Sequence, residues 1–132
     1  MPYCLFECFN GDGVCLIDMT VESIIDQGQA RDLIRQREGI SEATLTLFEA
    51  PEMGVAGVLA ELRSHIEAPL LIVEALTAWL EGRSLRLTID LSQLNPRRSA
   101  GTVGYWTAWQ GARPESSEAE VTVKLPQSTA EP

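Results

Sequence analysis

Residues 69–91, PLLIVEALTAWLEGRSLRLTIDL, constrain the fold of this chain more than any other stretch. In the first half nearly every residue is apolar, and the exceptions Glu74 and Thr77 share one narrow stripe on a helix. From Leu85 onward apolar and polar residues alternate, which indicates a strand with one buried face. A helix that is apolar on its other sides needs cover, so the stretch predicts a helix packed against a sheet.

Two helical regions leave alternatives open. A short strand at 70–73 is the alternative for the start of the central helix, because that segment contains two β-branched residues. After Thr20 the pattern predicts a helix with a break at Gly28, where the apolar stripe changes phase. Alternatively, the second strand continues toward Ile25 and only residues 29–38 are helical.

The rest of the chain supplies further strands and one more helix. Strands are predicted at residues 3–9, 14–19, 43–49, 85–91, 103–109 and 119–125. Helical spacing of apolar residues between Val55 and Ile66 predicts a helix that Pro69 separates from the central one. The order β-β-α-β-α-α-β-β-β predicts an α+β fold, a mixed β-sheet with helices packed on one face. We expect a single domain over 1–125 and a disordered tail over 126–132.

Charge and cysteine content narrow the possible partners and compartment. The chain has 132 residues and a formal net charge of −9, and its nineteen acidic residues are spread along the sequence. This balance disfavours direct binding to nucleic acid or to anionic membranes, which requires clustered Lys and Arg. No apolar stretch reaches the ~20 residues that span a bilayer, and no secretory leader is apparent. Three cysteines in such a chain predict free thiols and a cytoplasmic protein.

The cysteines and the single histidine do not make a metal-site pattern. Cys8 and Cys15 face each other across the predicted hairpin in the simplest register, and Cys4 and His65 are the remaining soft ligands. The short Cys-x2-Cys spacing typical of metal sites does not occur, and buried free cysteine behaves as a small apolar residue. We therefore expect structural thiols, no metal site and no cofactor, while a disulfide between Cys8 and Cys15 remains open.

Three large aromatic residues lie close together in the predicted strand 103–109. On a strand Tyr105 and Trp109 would point to one side and Trp106 to the other, so they cannot all be buried on one face. Exposed Trp and Tyr are frequent hot-spot residues in protein interfaces. The segment therefore predicts a protein-binding surface, and the alternative is an edge strand whose aromatic residues cover the core.

Arg97 and Arg98 form the one basic spot in this acidic chain, in a segment rich in turn-forming residues. Two guanidinium groups in such a loop are suited to a carboxylate or phosphate, because each offers several donors in a planar fork. The alternative is an ordinary solvated loop. The nearby glycines match neither a dinucleotide fingerprint nor a phosphate-binding P-loop.

Two segments carry a resemblance to a known enzyme family. Met1-Pro2 followed by a strand ending at Glu7-Cys8 resembles the start of the 5-carboxymethyl-2-hydroxymuconate isomerases of the tautomerase superfamily. The run from Arg83 to Leu87 and on to Leu94-Asn95-Pro96 is similar to the last β-α-β segment of that family. The NGDG hairpin and the tail beyond the second segment depart from the family pattern.

The resemblance implies a specific fold and chemistry. Members of that family fold as a pair of β-α-β units, assemble as trimers and use an N-terminal proline as catalytic base. By this resemblance Pro2 would be the base and Arg97 or Arg98 would hold a substrate carboxylate. An N-terminal-proline tautomerase acting on a small carboxylate is therefore the alternative function.

The function expected from the residues themselves is protein binding rather than catalysis. The acidic residues are spread along the chain, no catalytic motif is apparent, and the aromatic segment suits a binding surface. These features favour an adaptor, an inhibitor or a secretion-type chaperone. Another protein or a second copy of the chain is the expected partner, and a small anionic ligand at Arg97 and Arg98 is a third hypothesis.

Overall fold

The computed structural model describes residues 4–21, 27–49, 55–79, 84–112 and 119–127. Five strands and three helices lie within these ranges. In chain order they are β1 Cys4–Asn10, β2 Cys15–Val21, α1 Gln27–Arg35, β3 Ile40–Leu47, α2 Val55–Trp79, β4 Leu85–Asp90, α3 Ala100–Ala112 and β5 Ala119–Lys124.

The strands form one mixed sheet in the order β2-β1-β3-β4-β5. β1 is antiparallel to both of its neighbours, whereas β3, β4 and β5 run parallel to one another. The β1–β2 hairpin closes at Asn10, whose side-chain Oδ1 accepts the backbone N–H groups of Asp12 and Val14, each at 2.9 Å. Parallel neighbours need a long crossover, and α2 and α3 supply the two crossovers of β3-α2-β4 and β4-α3-β5.

The two faces of the sheet differ in polarity. On one face the strand residues are buried and apolar, namely Cys4, Phe6, Cys8, Ala43, Leu45, Leu47, Leu85, Leu87 and Ile89. On the other face, strand register aligns polar rows such as Thr44, Thr88 and Thr122 across β3, β4 and β5. The helices therefore cover one face only, and the predicted α+β class with a mixed sheet is confirmed.

α2 is one continuous helix of 25 residues, where two helices separated by Pro69 were predicted. Pro69 lies inside the helix and is fully buried. Its missing N–H and ring clash cost ~3 kcal/mol in a helix interior. Ala68 just before Pro69 and Ile72 and Leu76 after it are buried to within 1% exposure, and the burial of this part of the helix outweighs the local penalty. Glu74 and Thr77 are exposed, as their predicted polar stripe requires.

The segment 103–109 is helical, which corrects the strand predicted there. It lies inside α3, so the observed order is β-β-α-β-α-β-α-β rather than β-β-α-β-α-α-β-β-β. The aromatic and β-branched residues of this segment favour a strand locally. Because β4 and β5 are parallel, their connection must cross over the sheet, and a helix satisfies its own backbone while doing so.

The region between β2 and β3 resembles the second of the two predicted alternatives. β2 extends to Val21, beyond the predicted end at residue 19, and α1 occupies Gln27–Arg35. Gly39, with φ of +85°, takes the left-handed conformation after this helix. Within the described ranges no helix combines the length and apolar character needed to cross a bilayer.

Candidate functional site

α3 carries an aromatic cluster centred on Trp106. Thr102 and Trp106 lie one turn apart and are both fully buried. The ring of Trp106 meets the rings of Tyr105 and Trp109 edge to face, with centroid distances of 5.3 Å in each case. These ring contacts lie within α3 itself, and the helix is held on the core by the burial of Trp106 in the hydrophobic cluster.

The predicted binding residues of this segment therefore have different environments. Trp106 is fully buried in the core, so its side chain is not on the surface, and its role in binding stays a prediction. Tyr105 and Trp109 are half-buried and lie one turn apart on the same side of α3. Burial raises the pKa of the Tyr105 hydroxyl, and the nearby carboxylate of Glu74 raises it further.

The outer side of α3 is lined entirely by small residues. At about 100° per residue, seven exposed positions fall within one arc of about 140°. They are Ala100, Gly101, Gly104, Thr107, Ala108, Gly111 and Ala112. None of the residues of α3 is charged. We call this arc the small-residue face; Tyr105 and Trp109 border it on one side.

The loop between β4 and α3 is ordered by buried and half-buried polar groups. One carboxylate oxygen of Glu49 accepts hydrogen bonds from the backbone N–H of Asn95 and from the hydroxyl of Ser99. Its other oxygen lies 3.8 Å from the guanidinium of Arg98. Asn95 Oδ1 accepts the backbone N–H of Arg97 at 2.9 Å. The loop therefore has a defined shape before any ligand arrives.

A polar groove lies beside this loop, at the edge of the sheet where β3, β4 and β5 end. Its volume is about 490 Å³, and it is lined by Glu49, residues 92–97 and Gln127. We call it the carboxyl-edge groove. Arg97 lines it and is exposed, whereas Arg98 is engaged by Glu49. The two arginines predicted as one basic spot therefore have different surroundings, and a binding role for either stays a prediction.

One group of potential metal ligands was missed by the sequence patterns. Glu7, Cys15 and Asp18 place their ligand atoms within 4.8 Å of one another on the uncovered face of the sheet. Glu7 and Asp18 are partners across the β1–β2 hairpin, so their carboxylates lie side by side. The register of the hairpin shifts by one residue beside Phe9, which brings Cys15 to the same face. A correct hairpin register was the signal needed to find the group, since the simplest register had placed Cys15 opposite Cys8 and on the core face.

The three thiols are free in the structure. Cys4 and Cys8 are buried and Cys15 is exposed. Burial raises the pKa of Cys4 and of Cys8 from 9.0 to about 12, and the charge of Cys15 contributes to the shift at Cys8. The two buried thiols therefore stay protonated at neutral pH and act as small apolar side chains.

Pro2 lies outside the described residues, and so does the side chain of His65. The role of Pro2 as a catalytic base therefore remains a prediction from the resemblance. Comparisons with protein families, with curated proteins and with solved structures find no match to this chain.

Proposed function

We propose that this is a small acidic cytoplasmic protein that acts by binding another protein through the small-residue face of α3. The observation that carries the proposal is that α3 bears no charged residue although half of its surface is exposed. A helix on the surface of a water-soluble domain normally presents charged and polar residues outward. A helix that lacks charged residues on every side is typical of a helix that is packed against protein on both its inner and its outer side.

The glycines of α3 support the same conclusion. A Cβ added at Gly101, Gly104 or Gly111 would meet no atom within 4 Å, so packing within the described chain does not require them. Glycine in a helix interior is less stable than alanine by ~1 kcal/mol. Close approach of a partner explains their presence, because interaxial distances near 8 Å need small residues at the contact.

The partner proposed is an amphipathic helix that carries Lys or Arg beside its apolar face. Its apolar side would lie along the small-residue face, with Tyr105 and Trp109 as the larger anchors at the border. The net charge of −9 and the exposed Glu74 beside Tyr105 favour basic residues at the rim of the partner. A like-charged second copy of this chain is less favourable for the same reason.

Replacing Gly104 with alanine is expected to raise the free energy of unfolding by ~0.5–1 kcal/mol, because alanine restricts the unfolded chain and fits the open site. Urea denaturation measures the change. Gly39→Ala is the matched control: Gly39 has φ of +85°, so that variant should be less stable than the native chain. A loss of stability in Gly104→Ala would show that this glycine is needed for folding.

The binding surface is tested by blocking it without disturbing the fold. A photo-reactive residue at position 108 should cross-link a partner in extracts of the native host, and the cross-linked peptide should be helical and basic. Binding of that purified partner should weaken at least tenfold in Gly104→Arg and in Tyr105→Ala. Thr88→Arg, on the uncovered face of the sheet, should bind normally. Equal affinity in Gly104→Arg and the native chain would refute the proposal.

A further inference from the structure

We propose that the carboxyl-edge groove binds a small hydroxyl-bearing anion, a carboxylate or a phosphate, through Arg97. The position of the groove is the first support. Glu49 follows β3, Ser92 follows β4 and Gln127 follows β5, so the groove lies at the carboxyl ends of all three parallel strands. Ligands of open sheets with parallel strands bind in crevices at this edge. The inference does not depend on the small-residue face of α3.

The second support is the charge distribution around Arg97. The chain has nearly twice as many acidic as basic residues, nineteen against ten. Arg98 is paired with Glu49 at 3.8 Å, and Arg86 lies 3.7 Å from Glu120. Arg97 makes no ion pair with any described residue and lines the groove. A guanidinium that has no ion pair among the described residues and lies beside a concave surface is suited to an oxyanion, to which it can donate two parallel hydrogen bonds.

The third support is that the backbone holding Arg97 is already in place. Asn95 Oδ1 fixes the backbone N–H of Arg97, and the backbone N–H groups of Arg98 and Ser99 both donate to the carbonyl of Asn95. Glu49 anchors Asn95 in turn. Binding would order exposed side chains such as that of Arg97 but not the backbone of this loop, which lowers the entropic penalty of recognition.

The walls of the groove determine what the rest of the ligand looks like. Ser92, Gln93 and Gln127 contribute hydroxyl and amide groups, which exchange hydrogen bonds with uncharged hydroxyl groups. The volume of about 490 Å³ is within the usual range for small-molecule sites, ~300–1,000 Å³. A sugar phosphate or a hydroxylated carboxylic acid combines the anionic and hydroxyl groups that this site recognises.

The test measures thermal unfolding and calorimetric binding with glucose 6-phosphate, citrate and inorganic phosphate at constant ionic strength. We expect a saturable rise in Tm with glucose 6-phosphate or citrate, and none with glucose or sodium chloride; a rise with inorganic phosphate alone would overturn the recognition of hydroxyl groups. Arg97→Gln should weaken that binding at least tenfold. Arg86→Gln is the matched control, since it removes an exposed arginine of the sheet face and should leave binding unchanged.

Stabilisation by glucose 6-phosphate alone supports a phosphate ligand, and stabilisation by citrate alone supports a carboxylate ligand. The absence of a saturable effect with all three anions overturns the proposal, and so does equal binding by Arg97→Gln and the native chain. Arg97→Gln should keep its affinity for the protein partner of α3, so failure of this inference and failure of the proposed function are distinguishable.

Discussion

Replacing Trp106 with alanine is expected to lower the free energy of unfolding by ~3–5 kcal/mol. The Trp106 side chain is fully buried, and its ring contacts both Tyr105 and Trp109. Alanine would leave a cavity beneath α3, because Trp106 is the fully buried side chain through which this helix joins the core cluster. Urea denaturation followed by far-UV circular dichroism measures the loss.

Two control variants test whether the loss of stability in Trp106→Ala comes from lost packing in the core. Trp106→Phe should be much less destabilising, because it keeps an aromatic ring and removes a buried indole N–H that has no hydrogen-bond partner among the described residues. Thr107→Ala changes the exposed side of the same helix and should alter stability by less than ~0.5 kcal/mol. If Trp106→Ala is no more destabilising than Thr107→Ala, α3 is not packed on the core through Trp106.

Stability is expected to fall steeply as the pH rises from 9 toward 12. Cys4 and Cys8 have a pKa of about 12 in the folded chain, against 9.0 for an ordinary thiol. Above pH 9 the unfolded chain therefore loses thiol protons that the folded chain retains, and ionisation pulls the equilibrium toward unfolding. Each buried thiol should contribute a slope of up to ~1.4 kcal/mol per pH unit in this window. Below pH 9 their stabilising effect is fully present.

Variants identify which groups cause this loss. Cys4→Ala and Cys8→Ala should each reduce the slope of unfolding free energy against pH between 9 and 12, whatever their effect on stability at pH 7. Cys15→Ala is the control, because this thiol is exposed and its removal should leave most of the slope unchanged. Tyr105 also has a raised pKa, so Tyr105→Phe should remove a further part. If neither Cys4→Ala nor Cys8→Ala changes the slope of unfolding free energy against pH, ionisation of the buried thiols is not the cause of the loss.

The elements best predicted were those whose pattern is enforced by burial. In β4 apolar and polar residues alternate because only one face of the strand is covered. The sequence therefore shows which side chains point to the core, namely Leu85, Leu87 and Ile89. The apolar run around Ile72 likewise indicated a helix, since such a length of buried backbone must satisfy its own hydrogen bonds. Both inferences depend on local periodicity alone.

The candidate sites were only partly predictable. Arg97 and Arg98 are neighbours in the chain, so a local pattern cannot distinguish them. Glu49, about fifty residues away, forms an ion pair with Arg98, whereas Arg97 lines the groove. Tyr105 and Trp109 were predicted as binding residues from their chemistry, and the structure shows only that they are half-buried at the border of the small-residue face. The absence of a charged residue on α3 acquires its meaning only once the segment is known to be a surface helix.

The amino-acid sequence by itself determined the α+β class, the uncovered polar side of the sheet and the central helix-to-strand unit, because these follow from the spacing of apolar residues. Only the tertiary structure decided the state of residues 103–109, the continuity of α2 through Pro69 and the face on which Cys15 lies. The physical reason is that each of these depends on contacts outside the segment itself. The parallel pairing of β4 with β5 requires a crossover, burial of the helix from Ala68 onward outweighs the local penalty of Pro69, and the hairpin register sets the direction of Cys15.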